Sequence, residues 1–368
     1  MVPSQEHIVI VGAGIAGLAA AWALDRRKRY RITLLDKEPW SFCHASGNNA
    51  AIYRPLEDDL AVAELAARSL PLLGELQQLS EVPLLDETGL LLLAKQEKLL
   101  QRMSDNAKTT GVRARLGDLL SLQLPGDPGL YHEGVGLWSG QGGVLNPHQI
   151  GQCLLRALDK RRTTVRLGAE VESFLRTDGG ALAGVRLASG EEICAAHTLV
   201  AAGAFSGPLA LAVGSQLPLV PLRRHLAVVK VDVNLPPDLP VVWNLEPEYY
   251  FRPHGADLLV SPCDETATSG LVAQTEILQL EPLSQQLGRT WGPLGAARVK
   301  RAWACVRTKA LDSRPVIGPD AHVPRLHWLS GLAGFGMTCG LYAGELFARQ
   351  FAHEQALDPR FLPQRLLL

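Results

Sequence analysis

The stretch Ile8-Val9-Ile10-Val11-Gly12-Ala13-Gly14-Ile15-Ala16-Gly17-Leu18, followed by Arg31-Ile32-Thr33-Leu34-Leu35-Asp36, decides the fold. Ile8 to Val11 is an unbroken β-branched run, the pattern of a parallel strand buried on both faces. Three glycines follow at the spacing Gly-x-Gly-x-x-Gly. The first makes a tight turn, the second admits a pyrophosphate close to the backbone, and the third lets the next helix pack on the sheet. Leu18 to Leu24 is rich in alanine and leucine and reads as that helix. Arg26 to Arg29 are basic residues near its C-terminal end, where cations offset the helix dipole. Arg31 to Leu35 is a second strand, and it ends at Asp36, 24 residues after Gly12. A carboxylate there accepts hydrogen bonds from ribose hydroxyls. The unit predicts dinucleotide binding. By itself it does not separate NAD from FAD.

Outward from this unit, Asp58 to Gln78 reads as a helix, Leu90 to Ala94 as a strand and Glu97 to Thr109 as a helix. Residues 121–147 are rich in glycine and proline and read as a loop. Asn146 and Pro147 are the N-cap and first residue of a helix running to Arg161. Short strands are expected over Thr164–Leu167, Val171–Leu175, Ala183–Leu187, Glu192–Ala195 and His197–Ala201. The chain then turns strongly β from Leu217 to Pro262, with Ala227–Val233 and Leu258–Ser261 as strands. Arg298–Val306 and His327–Gly331 are two more, and Gly340–Phe351 closes as a helix. The fold class is α/β, α+β overall: a nucleotide-binding domain assembled from separated segments, with a mostly antiparallel domain inserted between them.

The 368 residues are 47% hydrophobic and 20% charged, with a formal net charge of −1. That composition is globular and rules out collagen-like and wholly disordered chains. Near-neutral charge argues against a dedicated nucleic-acid binder. The six cysteines make no C-x-x-C pair, so neither a disulfide scaffold nor a metal site is expected, and a reducing compartment fits. No signal peptide is visible in the short polar start, and Gly89 to Ala94 falls far short of the ~20 residues of a membrane helix. The expectation is a cytoplasmic protein with no membrane span, and oligomerisation stays open.

Three further segments narrow the cofactor: His44-Ala-Ser-Gly-Asn-Asn-Ala-Ala51, Thr198-Leu-Val-Ala-Ala-Gly-Ala-Phe-Ser206 and Gly331-Leu-Ala-Gly-Phe-Gly-Met-Thr-Cys-Gly340. With the N-terminal glycines, their order over residues 7–350 resembles the FAD-dependent D-amino-acid oxidase superfamily, which includes glycine oxidases, sarcosine oxidases, D-amino-acid dehydrogenases and the oxidase half of bifunctional tRNA-modifying enzymes. The resemblance implies a Rossmann-type FAD-binding domain over 1–85, 140–216 and 300–368, with the substrate domain over 86–139 and 217–299. It implies flavin contacts from Gly12, Gly14, Ile15, Ala16 and Gly17 on the turn, and from Asp36 and Lys37. Ala45, Ser46, Gly47, Asn48, Asn49 and Ala50 form the next group. Val171, which follows Gly168-Ala-Glu170, then Ala202, Gly203 and Arg307 add to it, and Gly334, Phe335, Gly336, Met337 and Thr338 complete it. The helix opening after Gly334 would set its positive end near the flavin and stabilise negative charge on reduction.

On the substrate side, Arg307 in Cys305-Val-Arg-Thr-Lys309 takes the position of the arginine that binds the substrate carboxylate in glycine oxidases. A guanidinium fork holds a carboxylate in two parallel hydrogen bonds. Tyr250 in Tyr250-Phe-Arg-Pro253 matches the tyrosine that adds a second bond to the carboxylate. Tyr53 and Glu57 are further candidates for the active-site mouth. His44 and His225 are left out of the catalytic set, because hydride transfer from a neutral amine needs no protein base. Cys305 matches the cysteine that links flavin covalently in sarcosine oxidases, but Thr338 stands where those enzymes carry lysine, so FAD is expected to be non-covalent. The implied reaction is oxidation of a small amine or α-amino acid to an imine, with O2, a quinone or a partner protein as electron acceptor. Three rivals remain: a 2-hydroxy-acid oxidoreductase, a flavin subunit of a larger dehydrogenase, and a tRNA-modification oxidase. The last is suggested by Ser46-Gly-Asn48 and opposed by neutral charge and the lack of a methyltransferase half.

Overall fold

A computed structural model of the protein describes residues 5–122, 124–125, 134–290 and 292–367. The N-terminal unit folds as its pattern dictates: strand Glu6–Val11, helix Ile15–Arg26 and strand Tyr30–Asp36. Glu6–Val11 lies inside a six-stranded sheet, between Tyr30–Asp36 and His197–Val200, both parallel to it. Thr163–Leu167 extends one side, and Leu326–Ser330 then Val316–Pro319 extend the other. Ile8, Val9 and Ile10 are wholly buried, as a strand covered on both faces requires.

The closing helix, Gly336–Phe351, lies along the first helix. Small residues permit the close approach: a Cβ on Gly344 would sit 2.5 Å from the Ala19 carbonyl carbon, and one on Gly340 would sit 2.6 Å from Ile15 Cγ1. Helix Leu60–Gln77 packs on the same closing helix, its first N–H groups capped by the Asp59 carboxylate.

A second sheet of nine strands carries most of the remaining chain. Its long members are Leu219–Lys230 and Arg298–Ala310, antiparallel partners from Leu219–Ala310 to Lys230–Arg298. Asp257–Ser261, Glu248–His254, Val241–Leu245 and Leu90–Leu93 continue the sheet. Because it pairs with Leu219–Lys230, Arg298–Ala310 hydrogen-bonds into this sheet and runs four residues past Val306.

Several sequence expectations shift. The expected loop 121–147 holds the strands Val135–Ser139 and Gly143–Leu145, while residues 123 and 126–133 lie outside the described set. Val135–Ser139 is a strand because Leu90–Leu93 and Arg115–Asp118 pair with it, a distant cause that local glycine content does not report. The helix after Asn146 stops at Ala157, where Leu158 turns extended, and Asn146 caps it by accepting from Gln149 N. The closing helix starts at Gly336, four residues early. Helices Ser206–Val213 and Glu281–Thr290 lack a matching sequence expectation.

Candidate active site

Apart from the Ala45–Ala50 loop, the motifs singled out for the nucleotide sit at or just beyond the carboxyl ends of strands of the six-stranded sheet. Gly12 follows Val11, Asp36 ends its strand, Ala169 to Val171 follow Leu167, Ala201 to Gly203 follow Val200, and Gly331 follows Ser330. These ends line one cavity of about 680 Å³. In open α/β sheets the crevice beyond the strand ends, beside the strand where the order reverses, is where ligands bind.

The turn is held by close backbone contacts. Gly12 has φ +111°, and a Cβ there would lie 2.5 Å from the Ala201 carbonyl oxygen; a Cβ on Gly17 would collide with the Gly12 carbonyl. Asp36 Oδ2 accepts from Ala13 N at 2.6 Å, and Oδ1 accepts from Glu38 N at 2.9 Å. The carboxylate thus ties the turn to the second strand while facing the cavity. The first helix has no cap from its own N-cap residue, Gly14, and no acidic residue in its first turn. Ser46 substitutes from a distant loop, its Oγ accepting from Ile15 N at 3.0 Å. Asn49 braces that loop by donating to the Ala45 and Ser46 carbonyls and accepting from Ala51 N. Lys37 lies over the Phe205 ring at 3.9 Å. The closing helix also begins uncapped, at Phe335, with no acid in its first turn. Two helix N-termini, neither capped by its own N-cap residue nor facing an acid in its first turn, therefore open into one cavity.

Of the residues expected to touch the cofactor, all but two line this cavity. The exceptions, Gly17 and Gly47, work behind it: a side chain on Gly47 would collide with the Phe42 carbonyl. Thr338 lines the cavity and is anchored, donating to the Ile52 carbonyl at 3.2 Å.

The far end of the cavity is a chamber built on one face of the nine-stranded sheet. Strand alternation puts Arg224 and Leu226 on that face with Cys305, Arg307 and Lys309, since Arg224 pairs with Cys305 and Leu222 with Arg307. Tyr250 joins them through its partner Ser261, with Trp243 beside it at 4.5 Å between rings. Tyr250 is 1% exposed, and burial pushes its phenol up to about 12, so it stays protonated and able to donate. Arg307 is 15% exposed on its side chain, and its Nη1 lies 3.8 Å from Glu265 Oε1. Burial raises the Cys305 thiol, while Arg307 and Arg224 pull against it.

Other expected residues fall differently. Glu57 lines the cavity, but both its oxygens accept from Arg54, at 2.8 and 2.6 Å. Burial raises the Glu57 carboxyl to about 7, outweighing the pull of that arginine. Tyr53 does not reach the mouth; it is packed in the core and donates to the Ala66 carbonyl. His225 is structural, with Nδ1 on Asp264 at 2.8 Å and Nε2 accepting from Glu276 N at 3.0 Å. His44 lines the cavity at its phosphate end, bonded to Glu38 and packed on Phe205.

Sequence reasoning missed Arg54, Arg224, Trp243, Glu265 and Lys309. One signal was legible: Leu222-x-Arg224-x-Leu226 sets an arginine at an inward position of an apolar strand. Among the described residues no group of three or more His, Cys, Asp or Glu is placed to hold a metal ion, and no helix is long and apolar enough to cross a membrane.

An FAD molecule suits what lines this cavity. The glycine turn and Ser46 would receive its pyrophosphate, Asp36 its ribose, and the N-terminus of the closing helix its flavin ring.

Comparison with known proteins agrees. The sequence matches the DAO family, FAD dependent oxidoreductases, over residues 7–350. It is 27% identical to a tRNA 5-methylaminomethyl-2-thiouridine biosynthesis bifunctional protein of Acidovorax, covering 96% of this chain and 58% of that protein. It is 26% identical to glycine oxidase of Pseudomonas aeruginosa, covering 96% of this chain and 97% of the relative. The chain thus spans less than two thirds of the bifunctional relative and nearly all of the glycine oxidase. Among solved structures, L-proline dehydrogenase from P. horikoshii has a TM-score of 0.87 at 19% identity, covering 99% of this chain and 98% of that one. Glycine oxidase from Geobacillus kaustophilus has a TM-score of 0.78 at 20% identity, covering 98% and 99%. At such identities the structures show a common fold. The chain belongs to the DAO family and is an FAD-dependent oxidoreductase.

Proposed function

We propose that this enzyme oxidises a small amine or α-amino acid whose carboxylate is held by Arg307 and Tyr250. One observation carries the reading: a guanidinium fork and a protonated phenol share one buried sheet face, at the end of the cavity opposite the glycine turn. When bound, FAD supplies a two-electron acceptor for hydride from the substrate's α-carbon, leaving an imine that water hydrolyses to the oxo acid. The chain's own part is to bind and orient. Arg307 offers two parallel N–H donors to the carboxylate, and Tyr250 adds an O–H, which together fix the direction of the α-carbon. Leu226, Trp243 and Cys305 wall the chamber with apolar surface.

Oxidation of a 2-hydroxy acid would need a base for the hydroxyl proton. Here the chamber carboxylates are already engaged, Glu57 by Arg54, Glu265 by Arg224 and Lys309, and Glu248 by the Trp243 N–H. That favours a neutral amine. A second reading, an amine on a modified tRNA base, is supported by the bifunctional relatives. We assign the non-covalent state of FAD from Thr338, and a cytoplasmic setting from the six free cysteines. The division into a cofactor domain (1–85, 140–216, 300–368) and a substrate domain (86–139, 217–299) belongs to the same proposal.

The test is anaerobic bleaching of the flavin by amino acids, amines and hydroxy acids, repeated with Arg307→Ala. The variant is expected to lose about one to two decades of affinity for carboxylate substrates, the worth of a charge-assisted pair at roughly 1.5–3 kcal/mol. An amine lacking the carboxylate should be little affected. Equal losses on both would remove the amino-acid assignment and favour the modified base. Reoxidation by O2, a quinone analogue or a partner protein then identifies the acceptor.

A further inference from the structure

Three guanidiniums line the chamber, those of Arg54, Arg224 and Arg307, and Arg54 is committed to Glu57. Of the other two, Arg224 is the deeper, with a side chain 2% exposed against 15% for Arg307. Its Nη2 donates to Glu265 Oε1 at 3.1 Å, while Nε and Nη1 have no hydrogen-bond partner among the described residues. Buried donors left this way are rare in folded proteins and mark a place where an acceptor is due.

The local charge count points the same way. Glu265 is the carboxylate in contact with Arg224 and Arg307, and Lys309 takes its other oxygen at 3.1 Å. Glu57 is committed to Arg54 through both oxygens, and Glu248, whose charge also reaches Arg224, is exposed and accepts from the Trp243 N–H. Arg224, Arg307 and Lys309 thus share a single contacting carboxylate, three cations to one anion. A buried charge needs a partner.

We propose that Arg224 forms a second anion subsite beside Arg307, so that the preferred substrate is an amino or imino acid carrying two carboxylates. The proposal rests on the carboxylate reading of Arg307 above. Arg224 pairs across the strands with Cys305, two residues before Arg307, which makes the two arginines diagonal neighbours. Such neighbours lie about 7–8 Å apart at the backbone, a spacing a short dicarboxylate spans. The competing arrangement has both arginines gripping one carboxylate, as both now approach Glu265 Oε1.

The test uses the FAD-loaded enzyme and two inert ligands, acetate and malonate, with binding read from the shift of the visible flavin spectrum. Malonate is expected to bind at least ~10-fold more tightly than acetate, the order of one added charge-assisted pair. Arg224→Gln should weaken malonate ~10-fold or more and acetate less than about threefold. Turnover should follow, with kcat/KM for iminodiacetate exceeding that for N-methylglycine, which lacks one carboxylate, by a similar factor. Equal affinity of the wild-type enzyme for the two ligands overturns the proposal, and this comparison needs no variant to fold. Equal weakening of both ligands by Arg224→Gln also overturns it, in favour of one shared carboxylate. Arg307→Gln separates the two levels: if acetate binding survives that change, it is the carboxylate reading of Arg307 that falls.

Discussion

The two ends of the cavity are built from different materials. At the glycine-turn end the cavity presents mainly backbone: Gly12, the amides beside it and the N-terminus of Ile15–Arg26, with the Asp36 carboxylate tying Ala13 to Glu38. At the chamber end it presents side chains, projected from four strands whose mutual register is fixed only by tertiary pairing, and we propose that these read the substrate. Backbone recognition dictates glycine and small residues at fixed spacing, so it is rigid and tolerates little. Side-chain recognition lets each group change separately, so its effects are graded. Substitutions at the first end are therefore expected to abolish cofactor binding, and those at the second to adjust substrate choice.

Gly12→Ala tests the contrast hardest. The new methyl must occupy a left-handed φ within 2.5 Å of the Ala201 carbonyl oxygen, and strain of ~1–3 kcal/mol adds to an overpacking cost of similar size. The expected product is folded or partly folded protein that no longer retains FAD through gel filtration, and a variant that stays yellow would show the turn to be looser than its contacts indicate. Asp36→Ala comes next. It removes an acceptor from two backbone N–H groups as well as the ribose partner, so FAD affinity should fall by about one to two decades. Turnover at saturating FAD should change by less than about twofold, because the ribose is remote from the reacting carbon. A crippled rate under saturation would mean that the two ends are not separable.

Tyr250→Phe deletes one hydrogen bond, worth about 1 kcal/mol, and should raise Kd for a carboxylate ligand roughly fivefold while the flavin spectrum is unaltered. Cys305→Ser is expected to have the smallest effect. Acid denaturation should release the flavin from wild type and variant alike, and fluorescence retained on wild-type polypeptide but not on Cys305→Ser would establish a covalent link.

The same contrast governs what can be read from the amino-acid sequence. The Rossmann unit, the Asn146 cap and the small-residue strand ends are legible because each is a local requirement with a local signature. Arg307 and Tyr250 were reached through family resemblance, since an arginine in a strand carries no intrinsic mark of its ligand. Arg224 escaped notice because its meaning depends on Cys305 and Arg307 facing it, 81 and 83 residues later. The strand Val135–Ser139 escaped for the same reason, its identity being conferred by Leu90–Leu93. Ser46 was expected among the flavin contacts from the family resemblance, and its bond to Ile15 N adds a second task that spacing did not reveal.

The seam between the first and closing helices also bears on how the chain matures. The strand Glu6–Val11 obtains its second parallel neighbour only from residues 197–200, and the helix beside it obtains its main helical partner only from residues 336–351. At ribosomal speeds of about 5–20 residues per second, roughly 15–60 s separate the first strand's synthesis from that of the closing helix. Until then the flank of Ile15–Arg26 that takes the closing helix stays uncovered. Nascent chains should therefore depend on chaperones for most of their synthesis, and loading of FAD should be a late event that locks the two distant segments together.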